Sequence, residues 1–324
     1  MEKIIIRQGT YEAHILPYGA TLQSLFVPDR SGARRDMVLG YESLADYQRH
    51  DGYLGATVGR HANRIAGASF VLDGVTYPLT ANEGANQLHS GPHGLHQKVW
   101  DWEQPSENCV VLRTFSPDGE DGYPGTLEAS VTYTLSGGAL VIDYEAVCDK
   151  DTICNLTNHA YFNLAGQGSG DVGGHLLRVN ADCYTPCGAG NIPTGEVRCV
   201  EGTLLDLRQA TLLGDRLGAA ELAECRGYDH NFCLAHKAAA QLYCPESGIC
   251  LDTETTMPGL QVYTAGFLTE RQGKDGAVYG KHHGVCLETQ FWPDAVHHEN
   301  FPSPVLRAGE VYRHKTVYRF GVKE

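Results

Sequence analysis

The chain has 324 residues, 42% hydrophobic and 20% charged, a composition that supports a sizeable core and argues against bulk disorder. Thirty-nine acidic residues against 25 basic ones give a formal net charge of −14 with His neutral, a surface that repels nucleic-acid phosphates and anionic membranes. The opening MEKIIIRQGT has three apolar residues between Lys3 and Arg7, too few for a signal sequence, and no apolar run could span a bilayer. A cytoplasmic location without nucleic-acid or membrane partners is therefore expected.

In chain order, the first element is a short helical pattern at Ser43–Arg49. Period-two alternation then takes over. In TLEASVTYTL, Leu127, Ala129, Val131, Tyr133 and Leu135 share a face. In ALVIDYEAV, Leu140, Ile142, Tyr144 and Ala146 face one way, and Asp143 and Glu145 the other. These are half-buried antiparallel strands, and Ser136-Gly137-Gly138 between them signals a tight hairpin. A longer helical pattern covers Leu212–Cys225, interrupted by Gly214 and Gly218. VYRHKTVYRF returns to alternation less cleanly, with Tyr312, Val317 and Phe320 among polar residues.

Thirty-eight glycines and 14 prolines punctuate many short strands. No fixed-period repeat or linker interrupts the chain, so a blade-repeat propeller is disfavoured. One large antiparallel β-sandwich domain over residues 1–324 is expected. Eleven cysteines include no CxxC pair, and without an export signal reduced thiols are expected. Cys183 and Cys187 are the nearest pair, in a turn-rich stretch. No G-x-G-x-x-G or Walker-type loop opens a helix, and no G-x-S-x-G elbow is present.

Five segments place ionisable or amide side chains among bulky apolar ones. GRHANRI carries Arg60, Asn63 and Arg64; NQLHSGPHGLHQKVW carries His89, His93 and His96; NLTNHAYFNLAG carries Asn158 and His159. GYDHNFCL carries Asp229 and His230, and CLETQFWPDAVHH carries Glu288 and Gln290. Such groups must be hydrogen-bonded or buried with shifted pKa values, the setting in which acid–base residues occur. Singly, each has a plain alternative: Arg64 as a structural ion-pair partner, Asp229 as a turn-former beside Gly227, any lone His as a satisfied strand residue. Together they supply a carboxylate, histidines, an arginine and aromatic platforms, a set suited to proton transfer on a polyhydroxylated substrate. His89, His93 and His96 are spaced like metal ligands, but Gly91, Pro92 and Gly94 break any helix that would align them. A His-rich loop with one functional member and no metal is expected. His282-His283 and His297-His298 read as solvated turn residues.

These segments, in this order, resemble the aldose 1-epimerase (galactose mutarotase) family. YGATLQSLFVPDRSG at Tyr18–Gly32, DGYPG at Asp121–Gly125, YTP to PTGE at Tyr184–Glu196, MPGLQVYT at Met257–Thr264 and FPSPVLRAGEVY at Phe301–Tyr312 also fit, so the resemblance runs nearly end to end. It implies a large antiparallel β-sandwich that epimerises free aldohexoses such as galactose and glucose at C1, without metal or organic cofactor. It further implies Glu288 as general base toward the anomeric hydroxyl and His159 as general acid toward the ring oxygen. His89 is expected beside the ring oxygen, and Arg64, Asp229, Asn63 and Gln290 at the sugar hydroxyls. A monomer or weak homodimer is expected. Three departures stand out: Ala265-Gly266 after Tyr263-Thr264, the loop Cys187–Gly190 without acidic residues, and Leu95-His96 where Phe-Asp is frequent.

Rival readings stay open. A phosphosugar 1-epimerase would need a cationic clamp, for which only Arg60 and Arg64 present themselves. An inert sugar-binding protein would have no need of both Glu288 and His159. A glycoside hydrolase would normally place two carboxylates about the scissile bond.

Overall fold

The computed structural model describes residues 3–49 and 51–323. Its strands form three main antiparallel sheets. A nine-stranded sheet runs, in spatial order, through Asp101–Ser106, Cys109–Ser116, Leu127–Ser136, Ala139–Cys148, Val311–Val322, Ile249–Thr255, Ala238–Tyr243, Leu176–Val179 and Thr211–Leu212. A six-stranded sheet runs through Tyr161–Phe162, Val285–Gln290, Gly259–Tyr263, Asp229–Cys233, Cys183–Thr185 and Arg198–Cys199. A four-stranded N-terminal sheet covers Ile4–Gln8, Tyr11–Leu16, Thr21–Pro28 and Arg34–Asp36.

The alternating runs of the sequence become the centre of the large sheet. Leu127, Val131, Tyr133, Leu140, Ile142 and Tyr144 are buried on its inner face, and Ser136 pairs with Ala139 across Gly137-Gly138. Both glycines have positive φ, 56° and 76°, as a two-residue hairpin matching strand twist requires. In Val311–Val322 the inner face is Tyr312, Thr316, Tyr318 and Phe320; Val317, one residue out of phase, is only partly buried. From the inner face the Tyr133 hydroxyl donates at 2.7 Å to the carbonyl of Ala20, which leads into strand Thr21–Pro28 of the N-terminal sheet, and that of Tyr318 donates to Leu287 O of the six-stranded sheet at 2.9 Å. The nine-stranded sheet is thus one layer of a sandwich, and the other two sheets face it across a shared core, with two further buried clusters outside it.

The first helical expectation holds as Leu44–Arg49, the one α-helix among the described residues. The second does not. Leu212–Cys225 is a strand end followed by two isolated 3₁₀ turns, Leu213–Asp215 and Ala220–Leu222. The Leu213 and Gly214 N–H groups donate to His175 O and Gly173 O, each at 2.9 Å. With two glycines weakening helix propensity by about 1 kcal/mol each relative to Ala, these contacts outcompete the helix. The apolar spacing instead serves to bury Leu213 and Leu222. No helix among the described residues is long and apolar enough to cross a membrane.

All eleven cysteines are free. Cys183 faces Cys199 and Cys233 across neighbouring strands, not Cys187.

Candidate active site

Residues opposite one another in an antiparallel sheet share a face, so strand register alone builds one wall of the site. One row across the six-stranded sheet reads Glu288, Gln261, Asn231, Thr185; the next on the same face reads Tyr161, Cys286, Tyr263, Asp229. That face floors a cavity of about 690 Å³. Over it fold two loops, one carrying Asn63 and Arg64 and the other His89, tied together where Arg64–Ile65 pairs with Gln87–Leu88. Asn63, Arg64, His89, His159, Asp229 and Glu288 all line this cavity.

Glu288 is 2% and His159 4% exposed, with Glu288 Oε1 3.6 Å from His159 Nε2. Glu288 Oε2 has no hydrogen-bond partner among the described residues. Burial pushes the Glu288 carboxyl well above the usual carboxylate range, assisted by the nearby Asp229 and opposed by Arg64. Burial also pulls His159 down to about 4, against a bond to its own backbone carbonyl that favours the protonated ring. Burial thus favours protonated Glu with neutral His, one proton shift from the ion pair that their proximity favours. Behind His159, Nδ1 lies 3.6 Å from the Cys286 sulfur. Burial keeps that thiol protonated, and a thiol can donate to a neutral imidazole or accept from a cationic one.

His89 is fixed differently. The Asn63 backbone N–H donates to its Nδ1 at 3.1 Å, and the His89 N–H donates to Asn63 O at 3.1 Å. Burial, then His159 and Arg64, hold the ring well below its ordinary pKa. With Nδ1 committed as acceptor, the neutral ring carries its proton on Nε2 and is a donor toward the cavity. This bears on metal binding, because a nitrogen or oxygen atom each of His89, His159 and Glu288 lies within 4.8 Å of the others. A protonated Nε2 has no lone pair for a cation, leaving two protein ligands where a catalytic zinc takes three. Nor do the loop histidines converge: His93 is solvent-exposed beside Asp121, and His96 lines a separate depression behind Tyr53.

Arg64 fills both roles open to it. Its Nε and Nη2 donate to Glu83 at 2.6 and 2.8 Å, while the same residue lines the cavity. Asp229 begins a strand and accepts from Gln261 Nε2 at 2.7 Å; burial raises its pKa against the pull of Arg64. Arg60 is 1% exposed, and its guanidinium donates to Ser116 Oγ and to four backbone carbonyls, so it braces loops and does not line this cavity. The structure does not bring Gln290 into the cavity: it is fully buried, and its amide atoms have no partner among the described residues. Nor are the other paired histidines simply solvated, since His282 Nδ1 bonds Thr264 O and His297 Nδ1 bonds the buried Asp294.

Sequence reasoning expected aromatic platforms but did not assign Tyr53, Tyr161 or Tyr263 to that role, and it missed several polar supports. The Tyr161 ring stacks on His159 at 5.0 Å and Tyr263 meets both rings edge-on. Tyr53 contacts His89 and His159 at 4.5 and 5.8 Å. Glu83, which orients Arg64, gave no local signal, whereas Gln261 did: it is a lone amide in the apolar strand Gly259–Tyr263. Tyr53, Asn63 and His89 all have positive φ (54°, 64° and 51°), local backbone strain of the kind gathered at functional sites.

The aldose 1-epimerase family profile matches residues 2–319. The chain is 46% identical over 327 residues to the galactose mutarotase of Rattus norvegicus and 44% to that of Homo sapiens, covering 99% of this chain and 94% of each relative. It is 37% identical to the aldose 1-epimerase of Escherichia coli K12, over 94% of this chain and 91% of the relative. Among solved structures, an aldose epimerase homologue from C. elegans superposes with a TM-score of 0.94 at 32% identity, over 100% of this chain and 99% of that one. A galactose 1-epimerase from Lactobacillus acidophilus superposes at 0.87 and 29% identity, over 99% and 95%.

Proposed function

Because the chain belongs to the aldose 1-epimerase family, we propose that it interconverts the α and β anomers of free aldohexoses, with galactose and glucose as substrates and residues 1–324 acting as one domain. The observation that carries the assignment of roles is the buried carboxylate–imidazole pair, 3.6 Å apart and facing a cavity walled by tyrosines. Glu288 takes the proton from the anomeric hydroxyl as His159 gives its proton to the ring oxygen. The C1–O5 bond breaks and the open-chain aldehyde forms. Rotation about C1–C2 presents the other carbonyl face, and the two residues reverse roles to close the ring.

The pair begins as Glu288 carboxylate with protonated His159 and ends as protonated Glu288 with neutral His159. Neither state carries net charge, so both can exist in a buried site. Proximity favours the first and burial the second, which brings the two sides of the step closer in energy. The Cys286 thiol suits both states of His159. His89, presenting Nε2–H, donates to the sugar beside the ring oxygen. Arg64, held by Glu83 through two nitrogens, keeps Nη1 for a hydroxyl; Asp229 and Asn63 accept or donate at others. Free sugars already mutarotate slowly in water, so two acid–base groups contributing about 10²–10⁴-fold each suffice.

Polarimetry on freshly dissolved α-galactose and α-glucose tests this reading. The approach to equilibrium rotation is expected to quicken in proportion to protein concentration with both sugars. Absence of acceleration with either would refute it.

A further inference from the structure

Cys183 and Cys199 lie directly opposite one another on the last two strands of the six-stranded sheet. The neighbouring pair, Asp182 and Val200, is joined by a Val200 N–H to Asp182 O bond of 2.9 Å. Hydrogen-bonded and non-bonded pairs alternate along an antiparallel ladder, so Cys183–Cys199 occupies a non-bonded position. There Cα atoms stand about 4.5 Å apart with both side chains on one face, within the roughly 4.4–6.8 Å that a disulfide spans. Cys199 is exposed and Cys183 partly so, which leaves the pair open to a reagent. The third thiol of the row, Cys233, faces Cys183 from the other side. Burial, with Cys183 beside it, pushes Cys233 up to about 12, so hardly any of it is thiolate at neutral pH.

The two strands are the feet of the 186–197 loop, which reaches the cavity. Gly190 and Asn191 line it. A Cβ on Gly190 would stand 3.4 Å from Asn86 Nδ2 on the opposite rim. We propose that Cys183 and Cys199 form an oxidation site, at which a small disulfide such as glutathione disulfide converts the two thiols into a cross-link that fastens the feet of this loop and alters how the cavity holds its ligand. The exchange balances: the Cys199 thiolate attacks one glutathione sulfur and expels a glutathione thiolate. The Cys183 thiolate then attacks the Cys199 sulfur and expels the second. Two protein thiols lose two electrons and two protons, and two molecules of glutathione thiol form.

The test exposes the native full-length protein to glutathione disulfide, blocks remaining thiols in acid-quenched denaturant and digests with trypsin. Cleavage after Arg178, Arg198 and Arg208 puts Cys183 in peptide 179–198 and Cys199 in peptide 199–208. The two are expected joined, with fragment ions assigning the bridge to Cys183 rather than Cys187. Dithiothreitol should separate them. The bridge should be absent in Cys199→Ser and retained in Cys233→Ser. Bridging of Cys183 to Cys233, or Cys199 found only as a glutathione adduct, overturns the assignment. The second readout rests on the proposed sugar turnover, the first does not. The bridged protein should show a galactose KM changed at least twofold and reversibly, with kcat within twofold, because the loop touches the cavity wall and not the acid–base pair. An unchanged KM with the bridge in place overturns the coupling to the site.

Discussion

At the scale of single residues, Glu288 and His159 carry opposite burdens from the same burial. Glu288→Gln keeps shape but cannot accept the anomeric proton, and His159→Asn cannot deliver one. Each is expected to lower kcat by about 10²–10⁴-fold, roughly 3–5 kcal/mol of barrier. Sugar affinity should fall far less, since Arg64, His89 and Asp229 remain, and the double variant should be little worse than the poorer single. Stability should move the other way in Glu288→Gln. A carboxyl whose folded pKa is raised stabilises the fold fully only below its unfolded value, near 4.5, and that contribution is lost as pH rises through the folded value. The variant should therefore melt higher than the parent at pH 7–8, and the gap should close below about pH 4.5. Near-parental turnover in a folded Glu288→Gln protein would place the base elsewhere.

The same pair sets a pH profile. In the proposed mechanism activity needs one proton on the pair, so kcat/KM should be bell-shaped, with an acid limb near the His159 value of about 4. The alkaline limb reports the raised Glu288. Asp229 contributes to that elevation, so Asp229→Asn should bring the alkaline limb to lower pH as well as weaken sugar binding. Profiles corrected for spontaneous mutarotation check this; an unmoved alkaline limb would mean that Asp229 does not act on the pair.

At the scale of elements, the site depends on segments that hardly qualify as strands. His159 is held by backbone bonds from Gly55 N–H to His159 O and from His159 N–H to Ala56 O, each 2.9 Å. Gly55 has φ 71°, and a Cβ there would lie 2.0 Å from Leu22 O. Leucine 22 cannot yield without disturbing the N-terminal sheet, so Gly55→Ala combines a clash with backbone strain. It is expected to cost several kcal/mol, roughly the range of the largest single-site effects, and to lower kcat in whatever protein still folds. Gly137→Ala is the control: φ is 56° but nothing lies within 4 Å, so a loss of about 1 kcal/mol and intact kcat are expected. Melting curves and turnover on both variants separate the two.

For the whole molecule, charge is expected to decide which substrates are admitted. The net charge is −14, and the cavity wall itself holds Asp51, Glu83, Asp229 and Glu288. Its two arginines are already paired, Arg64 with Glu83 and Arg271 with Asp51, and Arg60 is walled away by carbonyls. A dianionic phosphate would meet carboxylates with no unpaired arginine or lysine among the described residues of this wall to receive it. Glucose 6-phosphate is expected to show kcat/KM at least about tenfold below glucose, with added salt narrowing the gap. A preference for the phosphate ester would overturn the assignment to free sugars.

Strand periodicity, the Gly137-Gly138 hairpin and the lone polar groups in apolar runs were legible from sequence, because each depends on residues only a few positions apart. The all-β class and the first helix followed from that local information, and so did the candidacy of Glu288, His159, His89, Arg64, Asp229 and Asn63. What tertiary structure decided involves partners distant in the chain. Cross-strand register put Gln261 on the face of Asp229 and Gln290 opposite Gly259, buried and outside the cavity lining although it shares a strand face with Glu288. Contacts with Gly173 and His175 diverted Leu212–Cys225 from its helical pattern. Glu83 came to Arg64 through loop geometry, and the Asn63 N–H chose the His89 tautomer. Side-chain patterning reports which face is buried; only folding reports what that face is buried against, and burial against named partners is what shifts a pKa and aims a proton.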